Sequence, residues 1–62
     1  MRVIFNEYKV DNKKILIEHD LIKNEFAFII MNGITREYTS ELISDLVACR
    51  AKAFQHMGVL TQ

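Results

Sequence analysis

The chain has 62 residues, half of them hydrophobic, and its eight Lys and Arg balance its eight Asp and Glu to a formal net charge of zero. This balance argues against a broad basic surface for sequence-independent nucleic-acid binding. No run approaches the roughly 18 apolar residues of a membrane span, and Cys49, as the only cysteine, excludes an intrachain disulfide.

A chain this short buries a smaller fraction of its surface than a larger domain does, so the expectation is one α+β binding domain over residues 1–62, held by dense packing or by association. Val3 to Val10 mixes β-branched, aromatic and polar residues and reads as a first strand. Alternation puts Val3, Phe5, Glu7 and Lys9 on one face and Ile4, Asn6, Tyr8 and Val10 on the other. Asp11-Asn12-Lys13 supplies turn chemistry, and Lys14 to His19 reads as a second strand. Asp20 to Asn24 connects it to the strongest pattern, Glu25 to Met31. There Phe26, Phe28 and Ile30 point one way and Ala27, Ile29 and Met31 the other. Asn32-Gly33 then predicts a type I′ hairpin, with Ile34 to Tyr38 returning.

Thr39 or Ser40 is the expected cap of a helix running to about His56, with Glu41 near the positive end of its dipole and Gly58 as the left-handed terminator. The expected fold class is α+β: a small antiparallel sheet of three to four strands with one C-terminal helix packed on one face. On a helical projection Leu42, Ile43, Leu46, Val47, Cys49, Ala53, Phe54 and Met57 share one arc, and Arg50 falls near its centre. Three readings of Arg50 stand: buried and paired with a sheet carboxylate, snorkelling along its aliphatic stem, or anchoring a partner.

Both faces of the third strand are apolar, and one helix covers only one of them. Either the Asp20–Asn24 segment or the C-terminal tail folds over the other face, or it forms an apolar contact surface for a partner or a homodimer. Catalytic apparatus is not expected. Glu7, Glu18, Asp20, Glu25 and Glu37 read as solvated strand carboxylates without a nucleophile beside them. His19, Cys49 and His56 lack a ligand spacing, so no metal site is expected. The only glycines are Gly33 and Gly58, so there is no phosphate loop, and no cofactor is expected. A lone cysteine and an N-terminus interrupted by Glu7, Lys9 and Asp11 point to a soluble intracellular protein.

Several short stretches carry a family resemblance. Arg2-Val3-Ile4-Phe5 opens the first strand, and Lys23-Asn24-Glu25 leads to an aromatic at Phe28. Tyr38 precedes Glu41 and an aliphatic, and Leu46-Val47 and Lys52-Ala53-Phe54 follow in the helix. In these the chain resembles the Dmd antitoxin family of T-even-type bacteriophages. The resemblance implies a non-catalytic inhibitor, in the host cytoplasm, that binds a bacterial RNase toxin of the RnlA/LsoA type and blocks RNA access.

An RNase site is basic because it holds phosphates, so carboxylates are expected at the contact. The expected partner-binding residues are Glu7, Tyr8, Glu18, Asp20, Glu25, Phe28 and Arg50. The alternatives are a small dimeric regulator that binds DNA or a transcription component, and an assembly subunit that oligomerises through its sheet.

Overall fold

The computed structural model describes residues 1–58. Strands β1 (Arg2–Val10), β2 (Lys13–Asp20), β3 (Glu25–Asn32) and β4 (Thr35–Thr39) form one antiparallel sheet in sequential order. Helix α1 (Leu46–His56) lies across one face of it, against β3 and β2. The result is a thin two-layer slab, 16 Å deep along its shortest axis. No described helix is long and apolar enough to cross a membrane.

Three tight turns join the strands. Val10 pairs with Lys13 around Asp11–Asn12, with Asp11 in the left-handed region at φ 56°, a conformation Asp tolerates better than most residues. The Leu21–Asn24 turn is held by Asp20, whose Oδ1 accepts from the N–H groups of Ile22 and Lys23, both at 3.0 Å. The third turn differs from the type I′ expectation. Asn32 pairs with Thr35, so the loop is Gly33–Ile34, and only Gly33 has positive φ, at 65°. That sign pattern belongs to type II′, in which glycine takes the first central position.

The core lies between α1 and one sheet face. Ile15, Ile17, Phe28 and Ile30 meet Cys49 and Ala53, with Tyr8, Val10, Phe26, Ile43, Leu46, Phe54 and Met57 packed around them. Burying an Ile side chain contributes about 1.5–3 kcal/mol, so fully buried Ile15 and Ile17 are principal anchors. Burial pushes the Cys49 thiol above its ordinary pKa, against a small opposing pull from Lys52.

The helix starts later than Thr39 or Ser40. Its cap is Asp45, whose carboxylate accepts from the Ala48 N–H at 2.9 Å. The intervening segment extends the pairing of β3. The Phe26 and Ile43 backbones exchange hydrogen bonds of 2.7 and 2.6 Å. Ser40 donates its N–H to the Phe28 carbonyl at 2.9 Å, and its Oγ accepts from the Phe28 N–H at 2.8 Å. Satisfying the buried edge of β3 thus prevails over early helix formation. At the other end, Gly58 terminates the helix at φ 78°, its N–H donating to the Gln55 carbonyl.

With Leu42 and Ile43 outside the helix, the buried stripe centres on Cys49 and Ala53. Arg50, three residues from Ala53 and so about 60° around the axis, falls at the rim of that stripe. It is exposed, which overturns the buried, carboxylate-paired reading. Nor does the Asp20–Asn24 segment cover the second sheet face: it is a turn, with Leu21 and Ile22 exposed. The C-terminal tail beyond Gly58, the other proposed cover, lies outside the described residues.

Candidate functional site

On the face away from α1, the strand registers align side chains in rows. Lys9, Lys14, Met31 and Arg36 form the row nearest the β1–β2 and β3–β4 turns. Glu7, Leu16, Ile29 and Thr39 come next, then Ile4, Glu18 and Ala27, and finally Arg2, Asp20 and Glu25. No described element packs on this face, yet its centre is dry: Ala27 and Ile29 are 0% and 1% exposed. The exposed apolar surface therefore does not lie in the middle of β3, where the sequence pattern places it.

That surface lies at one end. Among the described residues, nine large apolar side chains are exposed, and seven of them (Met1, Val3, Ile4, Phe5, Leu21, Ile22 and Val47) sit at the β2–β3 turn end. The backbone brings them there. The Leu21 N–H donates to the Met1 carbonyl at 2.9 Å, and the Phe26–Ile43 bridge delivers the first turn of α1 to the same end.

A bulge in β1 between Ile4 and Asn6 breaks the alternation expected of this strand. It leaves Phe5 on the α1 side with Asn6 and Tyr8, packed edge-on against Phe26 at 5.7 Å. His19 stacks flat on Phe26 at 4.5 Å, and its Nε2 lies 2.9 Å from Asn24 Oδ1. The helix is too short and too centred on β3 to roof this cluster. Phe5 remains 50% exposed and Val47 64%.

The seven sequence-predicted contact residues divide. Glu7, Glu18, Asp20 and Glu25 all lie on the face away from α1, the last three at the apolar end. Arg2 stands 3.6 Å from both Glu18 and Asp20, and Lys14 stands 3.4 Å from Glu7. The Lys23 N–H holds the Asp20 carboxyl below the usual carboxylate range; the Ile22 N–H, the N-terminal ammonium and Arg2 add to this, against partial desolvation. Tyr8 lies on the other face, half-buried against Phe54 at 5.3 Å. Phe28 is a core residue, 4% exposed beneath α1, so its ring offers no contact surface while the helix is docked. Arg50 is on α1, apart from the carboxylates.

Residues that sequence reasoning did not select include Phe5 and Val47, placed by a bulge and a helix start that have no local signal. A shallow groove of about 540 Å³ runs between α1 and the Tyr38–Ile43 segment. His56 stacks on Tyr38 there at 4.1 Å. The Ser40 hydroxyl that lines it is engaged by the backbone, donating to the Glu41 carbonyl at 2.8 Å. Among the described residues no three His, Cys, Asp or Glu side chains group to hold a metal ion. No protein-family model, curated protein or solved structure matches the chain.

Proposed function

We propose that this chain is a non-catalytic phage antitoxin that occupies a bacterial RNase toxin in the host cytoplasm and keeps RNA from its site. The observation that supports this reading is the apolar end around Phe5, with Glu18, Asp20 and Glu25 at the same end on the opposite face of the sheet. Specific protein interfaces combine a desolvated aromatic and aliphatic centre with a polar rim. A carboxylate rim suits a basic, phosphate-holding surface. The resemblance to the Dmd family supplies the class of toxin. The DNA-binding alternative gains no support from α1, whose only lysine and arginine are Arg50 and Lys52.

The test is RNA cleavage by a purified toxin of this class, titrated with the protein. Near-stoichiometric inhibition is expected, with Glu18→Lys and Glu25→Lys each weakening it about tenfold, or about 1.4 kcal/mol. Full cleavage at excess protein would refute the function. Unchanged affinity after reversing each of Glu7, Glu18, Asp20 and Glu25 would refute the electrostatic part.

A further inference from the structure

The face away from α1 carries a charge gradient along its strands. Toward the β1–β2 and β3–β4 turns stand three cations, Lys9, Lys14 and Arg36, with one carboxylate, Glu7, for a net +2. Toward the β2–β3 turn stand three carboxylates, Glu18, Asp20 and Glu25, with one side-chain cation, Arg2, for a side-chain net of −2, and the N-terminal ammonium acts on Asp20 at the same end. Ile4, Leu16, Ala27 and Ile29 occupy the two middle rows. Such a surface is complementary to itself when turned end for end.

We infer that this face pairs with the same face of a second copy, about a two-fold axis lying between the sheets and running across the strands. That axis reverses strand direction and lays each strand over its own copy, so Lys14 lies over Asp20, Met31 over Glu25 with Arg36 one strand away, and Lys9 over Arg2 is the one like-charge contact. A two-fold along the strands would instead set like charges together, which interfaces avoid. Strands of nine, eight, eight and five residues, at about 3.3 Å per residue and 4.8 Å between strands, present about 480 Å² per copy. The total of about 1,000 Å² is at the low end for specific association, so the dimer is weak, micromolar or above. This pairing goes beyond the RNase reading and does not require it. The two share Glu18, Asp20 and Glu25, so self-pairing withholds those carboxylates, and a tighter partner draws on the monomer.

Sedimentation equilibrium of the full chain alone tests this, from about 5 to 500 µM at about 50 and 500 mM salt. A concentration-dependent dimer is expected, weakened by salt. Arg36→Glu and Glu25→Lys should each weaken it about tenfold, and the double variant should restore it, because opposite charges again stand one strand apart across the axis. Lys23→Glu, on the turn outside the face, should leave it unchanged, and circular dichroism confirms that each variant is folded. A monomer throughout at low salt, a dimer indifferent to both single reversals, or a double variant as weak as the singles would overturn the inference. RNase is absent from every arm, so these outcomes are independent of the toxin assay.

Discussion

Ser40 completes the sheet where β4 stops. Its hydroxyl takes the place of a strand carbonyl for the Phe28 N–H, while its own N–H serves the Phe28 carbonyl. Ser40→Ala leaves that partly buried donor unpaired, and a loss of about 1–3 kcal/mol is expected in urea unfolding. Ser40→Thr, which keeps the oxygen, should lose much less. Two carboxylates make stability depend on pH. Asp20 is held low chiefly by the Lys23 N–H, and Glu37 by hydrogen bonds from Lys13 and then Asn32. Both pKa values are depressed in the folded state, so their contribution is present above the ordinary carboxylate range and lost as pH falls through the depressed values. Thermal unfolding followed from neutral pH to about pH 3 should show Asp20→Asn and Glu37→Gln each flattening that acid-side decline. Variants that fall as steeply as the parent would contradict the assignment.

The elements rest on local signals of unequal reach. Asp45→Ala removes the α1 cap and should cost about 1 kcal/mol, within 0.5–2, read as a lower unfolding midpoint with helical content reduced at the first turn. Ser44→Ala, one residue outside the cap, should do little. The antiparallel strands and the C-terminal helix were legible because period-two runs alternate with Asp, Asn and Gly turns and Gly58 ends the helix.

The rest was not legible, for a physical reason in each case. Thr39 and Ser40 have good capping chemistry, but the unpaired edge of β3 claims Ser40 and Ile43 first, a non-local demand that no helical projection contains. The bulges in β1 and β4 shift register without a glycine to mark them, and the first separates Phe5 from Glu7 and Lys9, with which alternation groups it. The sequence offered Glu7, Glu18, Asp20 and Glu25 as available charge without grouping them; the strand register brings them to one face. Phe28 was misplaced as a contact residue because a two-sided apolar strand does not reveal which side the helix takes.

At the scale of the whole molecule, one helix on four strands leaves two surfaces uncovered among the described residues. One is the dipolar sheet face, suited to a second copy; the other is the apolar end beyond the reach of α1. A thin slab with so small a core has little stability to give up, and keeping seven large apolar side chains exposed at one end is a liability unless a partner covers them. Phe5, 50% exposed, sits at that end and Ile34, 99% exposed, at the tip of the β3–β4 hairpin. The pair therefore separates site from general surface hydrophobicity. The deciding measurement is toxin RNA cleavage titrated with the parent protein, Phe5→Asp and Ile34→Asp, each confirmed folded by circular dichroism. Parent and Ile34→Asp should inhibit alike, with Phe5→Asp at least about tenfold weaker. Inhibition by Phe5→Asp equal to the parent, or none by any of the three, would contradict the account.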